Sequence, residues 1–257
     1  MDRHEAVLRE LNMYPLWVRR EQSAQVMTEQ SNTVRPELVE GSVVENVVRQ
    51  AHHERPREQI EQPVLVSEPV KSQPNNLNWP ELKSTVHFCQ VCKLRAGCMQ
   101  TVFGVGAEKA DWLFIGEAPG EEEDASGEPF VGPAGKLLDN MLLAIKLKRN
   151  QVYIANVIKC RPPEDRSPHV GEIAQCLPYL QRQIALIQPK VIVALGKVAS
   201  NALLGKDVTL ASLRGTPHDY QGIPLVVTYH PAYLLRSPSE KAKAWQDLCL
   251  AQKTVLE

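Results

Sequence analysis

Trp112-Leu113-Phe114-Ile115-Gly116-Glu117-Ala118-Pro119-Gly120 passes from four consecutive apolar residues straight into a loop of glycines, a proline and a carboxylate. A short apolar run bounded by turn residues reads as a strand covered on both faces, the kind found in parallel sheets. Three similar runs follow: Val152-Tyr153-Ile154-Ala155-Asn156-Val157, Val191-Ile192-Val193-Ala194-Leu195 and Leu225-Val226-Val227-Thr228. Helical apolar periods cover 134–147, 170–187, 197–204 and 239–255, each the length of a crossover helix. The alternation predicts an α/β fold, a three-layer α/β/α domain around a central, mainly parallel four-stranded sheet. In such sheets ligands bind beyond the carboxyl ends of the strands, at 116–120, 156–163, Gly196 and 229–233 in this chain.

Outward from this domain the composition changes. Residues 21–78 are rich in Glu, Gln, Ser, Asn and Pro, too poor in apolar side chains to offset their ordering entropy, and read as a disordered linker. Residues 1–20 gather Val7, Leu8, Leu11, Leu16, Trp17 and Val18 between arginines, as a short amphipathic docking peptide does. The domain itself is expected over 79–257. The 257 residues carry a formal net charge of −1, with nine Lys/Arg against thirteen Asp/Glu up to residue 81 and twenty against seventeen beyond it. The globular part is therefore mildly basic, which permits contact with nucleic acid without requiring it. No apolar stretch is long enough to span a membrane and the leading residues lack a secretory apolar core, so a cytoplasmic monomer is expected.

Six cysteines in a reducing compartment point to metal ligation, redox chemistry or burial rather than to disulfides. Cys89-x-x-Cys92 brings two thiolates onto one metal, and Cys160 and Cys176 complete a four-thiolate set suited to tetrahedral zinc or to an iron–sulfur cluster. Spacing does not separate those two. Cys98 is close enough to Cys92 to be a rival ligand, and Cys249 lies in the apolar stripe of the last helix.

The loop after the first strand continues through Glu121-Glu122-Glu123-Asp124 to Gly127-Glu128-Pro129-Phe130-Val131-Gly132. It lacks the Lys and Ser/Thr of a phosphate-cradling loop. Phe130, between a proline and a Gly-Pro turn, is placed to act as a stacking platform. Asn156 ends the second strand, where an amide offers both the donor and the acceptor needed to read a nucleobase edge. His230, directly after the fourth strand, can donate to a developing anion.

Together these segments resemble the family 4 uracil-DNA glycosylases, the iron–sulfur branch of the uracil-DNA glycosylase superfamily. The resemblance covers about 88–247. It rests on Cys89-x-x-Cys92, Val102-Phe103-Gly104-x-Gly106, the Gly116–Gly120 loop, Gly127-Glu128-Pro129-Phe130-Val131-Gly132, Asn156-Val157-Ile158-Lys159-Cys160-Arg161-Pro162-Pro163 and His230-Pro231-Ala232-Tyr233-Leu234-Leu235-Arg236. It implies hydrolysis of the N-glycosidic bond of uracil in DNA, leaving an abasic site, and a structural [4Fe-4S] cluster on Cys89, Cys92, Cys160 and Cys176. It further implies an extruded uracil in a pocket with Gly116, Glu117, Ala118, Glu123, Phe130, Asn156 and His230. In that pocket Phe130 stacks on the base, Asn156 bonds its O4 and N3 edge, His230 bonds O2 and Glu123 excludes the methyl of thymine. Family 1 relatives carry an Asp where this chain has Ala118, so the residue that orients the water is open, with Glu117 the first candidate. Leu234 stands where the superfamily inserts a wedge into the gap left by the base, and Arg236, Arg161, Arg166 and Lys159 are the expected phosphate contacts. Residues 1–20 are also similar, over about a dozen positions, to the amino-terminal peptide of the psi subunit of the bacterial clamp loader, which implies a replication or repair partner.

Two other readings stay open at this point. One is a uracil-DNA binder or replication adaptor of the same fold without turnover. Against it, the segment after the Asn156 motif is not the extra basic insert of suicide-type relatives. The other is a nucleotide-binding α/β domain, disfavoured because Gly-x-Gly-x-x-Gly is missing.

Overall fold

The computed structural model describes residues 74–256. The docking peptide at 1–20 and the linker up to residue 73 lie outside the described residues. The last residues read as linker belong to the folded domain: a 3-10 turn, Pro74–Asn76, leads into Leu77, whose carbonyl accepts a hydrogen bond from Arg182 Nε at 2.6 Å. Asn78 then caps the helix Trp79–His87, its side chain accepting from the Glu81 N–H while Glu81 reaches back to the Asn78 N–H.

The four expected strands form the parallel centre of the sheet: β2 (Trp112–Gly116), β3 (Tyr153–Asn156), β4 (Val191–Leu195) and β6 (Ile223–Thr228). Two short antiparallel strands flank them, β1 (Val105–Gly106) beside β3 and β5 (His218–Tyr220) beside β6, giving a six-stranded order β1-β3-β2-β4-β6-β5. The β5–β6 hairpin turns on Gln221 (φ 53) and Gly222 (φ 85), and positive φ at both central residues matches the twist of the strands it joins.

Side chains alternate across the strands. Leu113, Ile115, Ile192, Ala194, Leu225 and Val227 meet Leu180, Ile184 and Ile187 of the helix Val170–Ile187 and Ala199 and Leu203 of Lys197–Leu204. Trp112, Phe114, Ile154, Val193 and Val226 meet Leu138, Met141 and Leu142 of Pro133–Ala144 and Leu248 and Ala251 of Lys241–Leu256. The helices 170–187 and 197–204 run as read from the sequence. Among the described residues no helix is long and apolar enough to cross a membrane.

The chain leaves β2 for β3 on one side and then crosses back to β4 on the other. Gly116, at the end of β2, pairs in register with Asn156, at the end of β3, and Leu195 of β4 pairs with Thr228 of β6. The topological switch, and with it the crevice expected for a ligand, therefore opens above Gly116.

Candidate active site and cysteine cavity

A cleft of about 490 Å³ lies over these strand ends, lined by Glu117, Ala118, Gly120, Glu123, Phe130, Asn156, Arg166, Ser167, His230, Tyr233 and Arg236, among others. Phe130 from a loop, Asn156 from the end of β3 and His230 from the turn after β6 line the same space. Phe130 is buried, held at φ 56, a left-handed conformation that is strained for a residue with a β-carbon. Its main chain is pressed by the first turn of Pro133–Ala144, where a Cβ on Gly135 would run into the Phe130 carbonyl. Its ring packs with the core on one side and lies 5.5 Å from the His230 ring on the other. The residue thus belongs to the core and also lines the cleft.

Asn156 is buried, and among the described residues its Oδ1 has no hydrogen-bond partner. A buried carbonyl oxygen left unpaired costs roughly 1–3 kcal/mol, so an unpaired one facing a cleft marks where a donor is awaited. Gly116 makes this arrangement possible: a Cβ there would sit 2.5 Å from Asn156 Oδ1 and 2.6 Å from Phe130 Cζ.

His230 caps the helix Pro231–Arg236, its Nδ1 accepting from the Ala232 N–H at 3.2 Å. A main-chain N–H donates, so Nδ1 carries no proton and the proton resides on Nε2. Burial, reinforced by the Arg236 cation and opposed by Glu123, pulls the imidazole pKa down to about 4. Gly196 (φ 91) leaves room beside it, with a Cβ there 3.0 Å from His230 Cβ.

Glu117 is half-buried, and its carboxyl is raised above the ordinary range by desolvation, with a hydrogen bond from Ser167 opposing. Ser167, in a Ser-Pro dipeptide that carries no motif, was not legible as a site residue. Glu123 is a staple: Oε2 accepts from Gly120 N–H at 3.0 Å, and Oε1 from Val131 N–H at 3.0 Å and Gly132 N–H at 3.4 Å. It ties both loops of the cleft together and forms a fixed wall.

The expected DNA contacts divide. Leu234 is 1% exposed and packed in the core beneath the sheet, so it is not available as a wedge. The apolar side chains that this turn presents outward are Tyr233, 39% exposed and stacked on Tyr229 at 5.2 Å, and Leu235, 43% exposed. Lys159 does not reach a phosphate either: it is buried, its Nζ donating to the Asn156 carbonyl at 2.9 Å and to Gln183 Oε1 at 2.7 Å. Arg236 is exposed at the cleft rim. Arg166 also lines the cleft but is bound bidentately by Glu172 at 2.9 and 2.7 Å. Arg161 pairs with Asp165 at 2.7 Å and Glu121 at 3.6 Å.

Cys89, Cys92, Cys160 and Cys176 line a second cavity together with Leu94, Ile158, Lys159 and Tyr179. Cys98 lies against Cys160 but does not line it. Tyr179 donates to Cys89 Sγ at 3.4 Å and the Lys159 N–H to Cys176 Sγ at 3.3 Å. Burial pushes the Cys160 and Cys176 thiols up, which disfavours thiolates there unless nearby positive charge offsets the burial. Among the described residues no group of three or more His, Cys, Asp or Glu is gathered to hold a metal ion.

A family profile described as the uracil DNA glycosylase superfamily matches residues 103–249, more than half of the chain. The chain belongs to that superfamily. Its relatives place it in the type-4 branch. It is 43% identical over 158 residues to the type-4 uracil-DNA glycosylase of Archaeoglobus fulgidus, covering 58% of this chain and 79% of that protein. It is 45% identical over 160 residues to that of Thermotoga maritima, covering 62% and 83%. The corresponding protein of Pyrobaculum aerophilum is 38% identical over 180 residues, covering 66% and 91%. A uracil-DNA glycosylase acts in DNA repair by excising uracil from DNA, and that is the activity the cleft has to explain.

Proposed function

We propose that the cleft takes an extruded uracil and that this chain's own residues divide the work as follows. Phe130 stacks on the base, a contact worth roughly 1–3 kcal/mol, which helps offset the few kcal/mol of unstacking. The unpartnered Oδ1 of Asn156 accepts from uracil N3–H while its Nδ2 donates to O4. Cytosine presents an acceptor at N3 and a donor at the exocyclic position, so it reverses both contacts. The orphaned Asn156 oxygen, flanked by Phe130 and His230, is the observation that carries this assignment.

Cleavage of N1–C1′ leaves negative charge on the base and cationic character on the sugar. A neutral His230 with its proton on Nε2 is poised to donate to O2 as that charge develops, the kind of preorganised donor whose removal costs about 10²–10³ in turnover. Glu117 faces the sugar side as the group that orients water and favours the cation. Thymine differs by a methyl group that affinity alone rejects by only about 10- to 200-fold; the stapled Glu123 supplies the rigid wall needed for more.

Cys89, Cys92, Cys160 and Cys176 fit a [4Fe-4S] cluster, which when bound supplies a structural cross-link among three segments of chain. Four thiols around one cavity supply the donor set such a cluster uses. Tyr233 and Leu235 take the wedge role that Leu234 cannot, and Arg236 the phosphate contact. Docking of a replication or repair protein by residues 1–20, and a cytoplasmic monomer, remain part of the proposal.

The test is excision on uracil-containing oligonucleotides, read as alkali-labile strand breaks, for the parent and Asn156→Ala. Loss of about 10²-fold or more in kcat/KM with retained DNA binding is expected; an Asn156→Ala enzyme with parental turnover refutes the assignment.

A further inference from the structure

Among the buried charged side chains, Asp247 is paired with Arg214 and Asp124 accepts main-chain N–H groups of Met99 and Gln100. Lys159 is different. Its acceptors are the Asn156 carbonyl and Gln183 Oε1, both neutral. Gln183 is itself fully buried, its Nε2 donating to the Phe103 carbonyl at 2.9 Å and to the Tyr153 hydroxyl at 3.4 Å. The ammonium is thereby fixed by a chain of contacts reaching from the helix Val170–Ile187 to the start of β3. It bears on the residue where β3 ends, three positions before Lys159 in the chain. The same lysine lines the thiol cavity, and its main-chain N–H is bonded to Cys176 Sγ.

We propose that Lys159 and Gln183 are a positioning pair that holds Asn156 in the register required to read the uracil edge, with the Lys159 ammonium serving on its other side as the counter-charge of the thiolate-bound cluster. Neither residue touches the base. The pair acts through the Asn156 carbonyl, which must stay still if the side chain beyond it is to meet N3–H and O4 together. An uncompensated buried ammonium is costly, and the anionic thiolate set is the compensation within reach. The inference rests on the reading of Asn156 given above.

The experiment uses the full-length, cluster-containing protein and compares Lys159→Met, Gln183→Met and Asn156→Ala. Single-turnover rate, KM for uracil-DNA, Ki for free uracil and the cluster's reduction potential are measured. Lys159→Met is expected to lower kcat by about 10- to 100-fold, to leave KM for DNA within about twofold, and to raise the Ki for uracil. It should also shift the potential to more negative values, since a nearby cation favours the reduced cluster. Gln183→Met keeps the ammonium, so it should weaken kcat and uracil binding in the same direction while leaving the potential unmoved. A Lys159→Met protein with parental kcat and uracil Ki overturns the proposal. Should that variant fail to fold, parental values in Gln183→Met overturn the pair. An unimpaired Asn156→Ala would instead sink the reading of the base edge, so the two failures are distinguishable.

Discussion

The Nδ1 of His230 accepts the main-chain N–H of Ala232 at 3.2 Å, and this contact decides which ring nitrogen carries the proton. Because the donor is a peptide N–H, the imidazole has no tautomeric choice: the proton is on Nε2 of a ring that lines the cleft. Burial keeps the ring neutral down to about pH 4. In the unfolded chain it titrates near 6.5, so between those values the unfolded state binds more protons. The stability contributed by the neutral ring is complete above 6.5 and is lost as pH falls towards 4. Titration of His230 is therefore not expected to set the acid limb of turnover; Glu117, raised above the ordinary carboxylate range by burial, is the group expected to set it. In pH profiles of kcat/KM, His230→Leu should lower the whole curve by about 10²–10³ and leave the acid limb in place, whereas Glu117→Gln should remove the limb. An acid limb that vanishes with His230 and survives the Glu117 change would contradict both assignments.

Glu123 accepts three main-chain N–H groups from two loops. Glu123→Ala should cost about 1–3 kcal/mol in denaturant unfolding for the donors left unpaired. By loosening the wall beside Phe130 it should also release thymine from thymine-containing DNA, detectable by chromatography of free bases. Unchanged stability would deny the staple.

Leu234 and Leu235 are neighbours with opposite fates. Leu234→Ala should destabilise the fold by about 2–5 kcal/mol as a core truncation. Leu235→Ala should change stability by less than about 0.5 kcal/mol, yet slow excision from duplex more than from single strands, because a gap to be filled exists in the duplex alone. Tyr233→Ala should share that duplex-selective loss. Equal loss on both substrates would remove these two side chains from the wedge role.

Cys98 borders Cys160 without lining the thiol cavity. Cys98→Ser should therefore purify anaerobically with the parent's brown colour and iron content, while Cys89→Ser or Cys176→Ser should lose both. A colourless Cys98→Ser protein would mean that the ligand set was chosen wrongly.

The four central strands were legible because strands covered on both faces must be continuously apolar, and Val191–Leu195 has no other use for five such residues. The edges were not: β1 is two residues long and β5 reads His-Asp-Tyr, so neither leaves an apolar signature. At the site, Phe130, Asn156 and His230 could be read because each is a chemically distinctive residue immediately beyond or between strand ends. The errors fell where the outcome depends on partners distant in the chain. Leu234 and Leu235 differ only in helix phase, which a six-residue turn does not announce. Lys159 looked like a surface cation until Gln183, twenty-four positions away, supplied the acceptor that lets it be buried. A lone glutamine among Tyr179, Leu180, Ile184 and Ile187 was the available hint.

Gly116 separates a ring from an amide by the width of one hydrogen atom's worth of side chain. The end of β2 thus has a vocabulary of a single amino acid. A library randomised at this codon and selected for survival under uracil stress should return glycine alone, while alanine variants persist as folded but silent proteins. Such variants would give a folded control in which the base has no seat.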